Sequence, residues 1–297
     1  MHQSVFLSEA IDYLDVRPDN WYLDATLGGG GHSREILRRG GKVIALDYDR
    51  EVCEKQKQAF ASEIQEGRVR IIQENFAHLQ QVQKLHLTDL GEQPFSGAFF
   101  DLGTNSDQLT SGKNGLSVYE NGPLDMRLDQ TLNVTARDLL MALSEKQLSE
   151  LFIHYGGEVE ARRIAREIVL HRQRRGQDAF KDSFELANLV SRIKKAPPHR
   201  LHPATKVFQA LRIAVNDEIG NLERGLPQAF NQLQSGGRMV VIAFHEGEDR
   251  PVKHFFRHLQ EQGLATILTK RPLVPDSQAI QDNPRARSAR LRALVKV

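Results

Sequence analysis

Over the first hundred residues, short and nearly continuous apolar runs alternate with polar stretches of helical period. Residues 21–26 read as a strand that ends at a glycine tract, and 33–39 as a helix capped by Ser33 or entered directly from the glycines. A second strand over 42–47, a long helix over 50–66, a third strand over 69–72 and a fourth over 97–101 follow. Strands that alternate with helices predict right-handed β-α-β units on a parallel sheet. The pattern then changes. Residues 103–129 are rich in Gly, Asn, Ser and Asp and have no period, a long irregular segment of the kind that usually carries function. From 134 to 195 the spacing of Leu139, Leu140, Leu143, Leu148, Leu151 and Phe152 predicts helices throughout, punctuated by Pro197-Pro198. Helices over 205–222 and 227–234 come next, then a buried strand over 238–244 and two edge strands over 265–269 and 289–297. The economical architecture is an α/β sheet with an all-helical insertion. Residues 1–129 and 205–297 form the sheet domain, and 130–204 the insertion.

Composition narrows the class. A chain of 297 residues has room for about two domains. Its 40% hydrophobic and 26% charged residues exclude a disordered chain or a fibre. No window approaches the roughly 18 apolar residues of a membrane span. The opening Met1-His2-Gln3-Ser4-Val5 has neither a basic region nor an apolar signal core, so a cytoplasmic location is expected. Cys53 is the one cysteine, which excludes a disulfide framework and any zinc site built on several thiolates. A net charge of +2 is too small to argue nucleic-acid binding from the long-range field, although the basic residues are clustered.

The strongest local signal is Asp24-Ala25-Thr26-Leu27-Gly28-Gly29-Gly30-Gly31-His32. Glycines between a strand and a helix let a ligand approach the backbone, and the helix N-terminus favours an anionic group. The dinucleotide fingerprint would need a third glycine at position 33, where this chain has Ser33. Asp24 just before the glycines fits instead the acidic glycine motif of S-adenosylmethionine enzymes. Asp47 ends the second strand, where a carboxylate can accept bonds from ribose hydroxyls, or can simply cap the next helix. Phe76 follows the third strand and could lie against an adenine. Asp101 ends the fourth strand, and in open α/β sheets ligands sit beyond these carboxyl ends.

Several longer strings resemble one family. They are His2-Gln3-Ser4-Val5-Phe6-Leu7, the glycine tract above, Gly122-Pro123-Leu124-Asp125-Met126-Arg127-Leu128-Asp129, the segment 202–218 containing Phe208-Gln209-Ala210-Leu211-Arg212-Ile213-Ala214-Val215-Asn216-Asp217-Glu218, and Asn283-Pro284-Arg285-Ala286-Arg287-Ser288-Ala289-Arg290-Leu291-Arg292. Together they are similar to the 16S ribosomal RNA (cytosine-N4) methyltransferases, the RsmH or MraW family, over essentially the whole chain. The resemblance implies a class I methyltransferase (Rossmann-like) sheet with S-adenosylmethionine as cofactor. It implies cofactor contacts at Gly30, Gly31, His32, Asp47, Phe76, Asp101 and Gln108; of these, His32 and Gln108 rest on the resemblance alone. The chain departs from the family pattern at 101–110, 114–118, 155–158 and 243–250; the cofactor positions are intact, and several of the changes lie near where the base should sit.

Methyl transfer from a sulfonium needs positioning more than acid–base machinery. An acceptor for the amine protons of cytosine would take up the developing charge, and Asp101 and Asn105 are expected in that role. The target base must leave its stack to enter the pocket. Candidates for RNA contact are Asp125, Arg127, Arg212, Asn216, His245, Arg285 and Arg287. The insertion adds Arg162, Arg163, Arg166, Arg172, Arg174, Arg175, Lys194 and Lys195, which equally describe a solvated helix face. The expected partner is 16S ribosomal RNA within the small ribosomal subunit, with a homodimer also open; neither a membrane partner nor a metal is expected. Two alternatives stay open: a diverged RNA- or ribosome-binding relative with weak or lost catalysis, and a methyltransferase acting on another nucleobase amine. Cys53 is flanked by charges on the helix after the second strand, so covalent activation of a pyrimidine C5 through a thiolate is not expected.

Overall fold

The structure is a computed structural model and describes residues 4–103, 114–194 and 202–297, without the side chain of Arg285. In chain order the first part holds α1 (Leu7–Leu14), β1 (Trp21–Asp24), α2 (Gly31–Arg38), β2 (Lys42–Asp47), α3 (Arg50–Ala59), α4 (Ala61–Gln65), β3 (Val69–Gln73), α5 (Leu79–His86) and β4 (Phe95–Asp101). The middle part holds α6 (Ala136–Ala142), α7 (Glu145–Gly156), α8 (Ala161–Arg175), α9 (Ser183–Ile193) and α10 (Thr205–Asn216). The last part holds α11 (Glu218–Asn231), β5 (Leu233–Ala243), α12 (Glu246–Glu261), β6 (Ala265–Ile267), α13 (Ser277–Asp282) and β7 (Arg290–Lys296). The chain divides into two compact units, one of Met1–Gly103 with Ile219–Val297 and one of Thr104–Glu218.

The first unit is built on a seven-stranded sheet of order β3-β2-β1-β4-β5-β7-β6. β1 to β5 pair in parallel, β7 runs antiparallel to β5, and β6 antiparallel to β7. Both faces are covered, which is why the strands read as continuous apolar runs. Successive residues then divide between the faces. Leu23, Ile44, Leu46, Ala98, Phe100, Met239 and Val241 pack with Leu79 and Val82 of α5, Leu222 and Leu226 of α11 and Val252 and Phe256 of α12. Tyr22, Val43, Ala45, Phe99, Val240 and Ile242 pack with Ala10, Ile11 and Leu14 of α1 and Ile36 and Leu37 of α2.

All seven predicted strands are present. The helix predicted over 50–66 is two, separated at Phe60, whose backbone leaves helical geometry while its ring is buried. The helix predicted over 205–222 breaks at Asp217, which takes a left-handed φ of 47°. The helix predicted to start at Pro227 instead runs through it, from Glu218 to Asn231. The buried stripe Leu222, Leu226, Ala229 and Phe230, at i, i+4, i+7 and i+8, holds that helix on the sheet despite the proline. α1, α5, α12 and α13 are not among the predicted helices.

The second unit is helical around its own core, which includes Leu140, Leu148, Phe152, Ile164, Ile168 and Leu211. It begins earlier and ends later than residues 130–204. Leu116, Leu124 and Met126 of the irregular segment and Val207 and Phe208 of α10 pack into the same core.

Candidate active site

The strand order reverses between β1 and β4, and the carboxyl ends of β1, β2 and β4 carry Asp24, Asp47 and Asp101. In an open α/β sheet this switch point is where a ligand crevice forms. The glycine turn between β1 and α2 sits at the same edge. Gly28 and Gly30 have φ of 47° and 72°. A Cβ on Gly30 would lie 2.9 Å from both Gln56 Oε1 and the Phe60 ring, and one on Gly31 would collide with Ser4 Oγ. A Cβ on Gly29 would meet open space. Among the described residues the turn is therefore packed from behind and open in front.

The three acids differ in what they already hold. Asp24 is fully buried and occupied: Ser33 Oγ donates to it at 2.6 Å and Thr26 N at 3.2 Å. Ser33, the residue that breaks the dinucleotide fingerprint, thus ties α2 to the end of β1. Asp47 accepts from Gly28 N at 3.0 Å and Asp49 N at 2.9 Å, so it fixes the glycine turn from the neighbouring strand. Among the described residues Asp101 accepts only a long bond from Gly103 N, 3.3 Å, while Thr26 Oγ1 receives the backbone N–H of Asp101 at 2.7 Å. Burial pushes the carboxyls of Asp24 and Asp47 up to about 6 and that of Asp101 up to about 7; nearby Asp24 and Glu248 add to the rise at Asp101.

His32 is buried at the start of α2 with its ring on Phe99, centroids 4.2 Å apart. Its Nε2 lies 3.2 Å from the Val5 carbonyl, which assigns the proton to that nitrogen. Burial lowers the imidazole to about 4, so it is neutral at pH 7. Nδ1 then presents a lone pair 3.9 Å from Asp101 Oδ2. Two facing acceptors at that spacing suit a donor or cationic group between them. Phe76 is partly buried against Phe100, edge to face at 5.4 Å. A Cβ on Gly225 of α11 would lie 2.5 Å from the Phe76 ring, so the glycine makes room for it.

Among the expected cofactor residues, Gly30, Gly31, His32, Asp47, Phe76 and Asp101 all belong to the first unit, at or next to the carboxyl ends of β1 to β4. Asn105 and Gln108 lie outside the described residues. The pattern did not single out Gln56 or Thr26. Gln56 Nε2 donates to the Gly28 carbonyl at 3.1 Å and buttresses the turn. Its signal in the sequence is a polar residue between Cys53 and Phe60, on the buried face of α3 and the residue that ends it. The Cys53 thiol is buried, 3.4 Å from the Asp47 carbonyl oxygen, and burial pushes it up to about 12.

The residues expected to touch RNA have varied surroundings. In the second unit Arg127 forms a two-pronged pair with Asp125, at 2.7 and 2.8 Å, and donates to the Leu132 carbonyl at 2.6 Å. Arg212 is likewise paired with Glu218, at 2.7 and 3.0 Å. The Asn216 side chain is buried; it accepts from Leu128 N at 2.8 Å and donates to the Met126 and Arg212 carbonyls at 2.9 and 2.8 Å. It thereby holds Met126 in a left-handed turn, φ 60°. Arg172 donates to the Leu140 and Leu143 carbonyls and Lys194 to buried Glu158, whereas Arg162, Arg163, Arg166 and Arg174 are exposed. In the first unit His245 caps α12, its Nδ1 accepting from Glu248 N at 3.3 Å. Arg287 is exposed in the turn Pro284–Ser288.

A sheet of this order with an antiparallel final pair, a glycine turn after β1 and acids ending β1, β2 and β4 is the fold of a class I methyltransferase. The chain belongs to the MraW methylase family, whose match spans residues 1–297. Among its relatives, ribosomal RNA small subunit methyltransferase H of a Cyanothece species is 42% identical over 98% of this chain and 93% of its own length. The protein of the same name in Thermomicrobium roseum is 41% identical over 100% of this chain and 94% of its own length. A crystal structure of an rRNA methylase from Streptococcus thermophilus aligns over 100% of this chain and 99% of its own, with 12% identity and a TM-score of 0.46.

Proposed function

We propose that this chain methylates the N4 amine of a cytidine in 16S ribosomal RNA of the small ribosomal subunit, using S-adenosylmethionine. The observation that carries the reading is the Asp101 carboxyl, held at the end of β4 beside the glycine turn, where among the described residues it accepts a single long bond, from Gly103 N. The identity to relatives named as small subunit rRNA methyltransferases supports the substrate class. The open front of the turn at Gly29, the paired acceptors of His32 and Asp101, and the Asp47 carboxylate fit the cofactor's chemistry: a backbone-close approach, an ammonium donor and ribose hydroxyl donors. Gly30, Gly31, His32, Asp47, Phe76 and Asp101 are the residues assigned to it, with Gln108 and, on the base side, Asn105.

When bound, S-adenosylmethionine supplies a methyl group on a sulfonium centre that departs as a neutral thioether, so the protein need not protonate a leaving group. Asp101 has the remaining task. The exocyclic amine is a poor nucleophile because its lone pair is delocalised into the ring. A carboxylate that accepts a hydrogen bond from the amine stabilises charge as the N–C bond forms and takes the proton the nitrogen loses. Its value of about 7 makes it basic enough to receive that proton and acidic enough to be partly ionised at neutral pH. Neutral His32 contributes no competing positive charge at the site. The Cys53 thiol stays protonated, which disfavours addition to C6 and methylation at C5. The test is nucleoside mass spectrometry of small-subunit RNA incubated with the protein and S-adenosylmethionine. N4-methylcytidine is expected; 5-methylcytidine or unmodified RNA would overturn the proposal.

A further inference from the structure

A second feature of the sheet unit lies at the edge opposite β3, away from the glycine turn. The flank of α12, the edge strand β6 and the residues just after it enclose a groove of about 390 Å³. Its lining includes Lys253, Arg257, Gln260, Thr266, Thr269 and Lys270. Lys253 and Arg257 are four residues apart on α12, so they share a helix face and repel each other. Lys270 adds a third positive charge from across the groove. Lys253 is half-buried, and Arg257 and Lys270 are exposed.

Three of the four acids of α12 have other partners, and the fourth, Glu261, is exposed at its C-terminal end and is not part of the groove lining. Glu246 pairs with Arg250, Glu248 caps the helix, and buried Asp249 holds Arg292 at 2.7 and 2.9 Å, with Arg290 at 3.3 Å. No carboxylate lines the groove, and none pairs with Lys253, Arg257 or Lys270 among the described residues. The neutral lining groups are left as donors as well. Gln260 Oε1 is taken by Ile267 N at 3.0 Å, which leaves its amide N–H groups, and Thr269 Oγ1 accepts from Ala293 N at 2.9 Å, which leaves its hydroxyl proton. A lysine beside a short edge strand can serve only to discourage edge pairing. That accounts for Lys270 but not for two like charges placed together on the neighbouring helix.

We propose that this groove docks the phosphate backbone of the RNA substrate at a distance from the methyl-transfer crevice. The proposal rests on the reading of the protein as an RNA methyltransferase and adds a second contact, made to the backbone and blind to sequence. Phosphates fit because the charged groups of the lining are all cations and the Gln260 amide and Thr269 hydroxyl are left to donate, with Phe256 and Ile267 completing the wall, and the groove follows a helix flank open to solvent. RNA held here would be anchored on the β6 side while its target base is presented beyond β4.

The experiment compares wild-type protein with the triple variant Lys253→Gln, Arg257→Gln, Lys270→Gln, and with Arg250→Gln as a control for charge lost elsewhere on α12. Binding to a small-subunit rRNA fragment is measured from low to moderate salt, and the fold of each variant is checked by circular dichroism. Each lost phosphate contact lowers the slope of log affinity against log salt by about 0.7–0.9, so the triple variant should lose about 2 and Arg250→Gln almost nothing. Methylation of the same fragment should show a raised KM for RNA with kcat retained. An unchanged slope in the triple variant, or an equal fall in the control, overturns the groove. So does loss of binding to vesicles containing phosphatidylserine while RNA binding is kept, which would make the groove a membrane contact. If the wild-type protein binds RNA through the groove but leaves it unmethylated, the functional reading fails and the groove stands. Methylation with an unaltered slope sinks the groove alone.

Discussion

Asp47 and Asn216 are both conspicuous in the sequence, and their surroundings set them apart. Asp47 ends a strand beside a glycine turn and retains accepting capacity beyond its two backbone bonds. Asp47→Ala should weaken S-adenosylmethionine binding by about 1.5–3 kcal/mol, the scale of hydrogen bonds to a charged group, read by titration calorimetry. Because its carboxyl is raised to about 6, wild-type affinity should also decline as pH falls through that value. Asn216 belongs to a family motif, yet its amide is engaged in joining the 126–128 turn to α10. Asn216→Asp puts a carboxylate oxygen where the amide donates to two carbonyls. Thermal unfolding should show a loss of about 1–3 kcal/mol, the range for breaking a buried hydrogen bond, while S-adenosylmethionine affinity is kept. A variant of full stability would return Asn216 to the list of RNA contacts.

At the scale of elements, α11 and α3 position the crevice from outside it. Gly225 lets α11 approach Phe76 within van der Waals contact. Alanine there would gain helix propensity, about 1 kcal/mol, and by that effect alone would raise the melting temperature. The clash with the ring should reverse this: Gly225→Ala is expected to lower the melting temperature and weaken cofactor binding several-fold as Phe76 moves. An unaltered affinity would mean Phe76 serves the core alone. α3 carries Cys53 and Gln56 behind the glycine turn. Cys53→Ser should retain nearly full methyl transfer, because the buried, protonated thiol has no part in the chemistry; loss of activity with the fold intact would contradict the direct-attack mechanism. These contacts were only partly legible in sequence. Gln56 is visible as a polar residue between Cys53 and Phe60. Gly225, however, reads as an ordinary weak point in a helix, because what it faces comes from a segment about 150 residues away.

For the whole molecule, the three acids at the strand ends couple function to stability. Burial raises Asp24, Asp47 and Asp101 above the ordinary carboxylate value of 3.8. In the window between about pH 4 and pH 7 the folded chain therefore binds more protons at these groups than the unfolded chain. Their contribution to stability is full below pH 4 and is lost as pH rises through their folded values. Asp101→Asn removes one of them. Its melting temperature should fall less between pH 4 and pH 7 than that of the wild type and should be higher at pH 8, while methyl transfer drops by about 10²–10⁴-fold, the scale of a lost general base. A parallel pH profile would show that Asp101 is ionised without cost.

The sequence by itself determined the alternation of strands and helices, all seven strands, the place of the glycine turn and the acids that close β1, β2 and β4. These are local: a fully covered parallel strand must be a short apolar run, and a backbone-close ligand site needs glycine. The motif strings carried the family. Tertiary structure decided what spacing does not encode. It set the extent of the helical unit, because Leu116 and Val207 share a core despite lying on opposite sides of the predicted insertion. It carried α11 through Pro227, because the buried stripe outweighs the break in its hydrogen bonds. It also separated, among the described residues, arginines with partners from arginines without them. Arg127, Arg172 and Arg212 look no different in sequence from Arg162 or Arg257, and only the fold supplies the carboxylates and carbonyls that claim the first three.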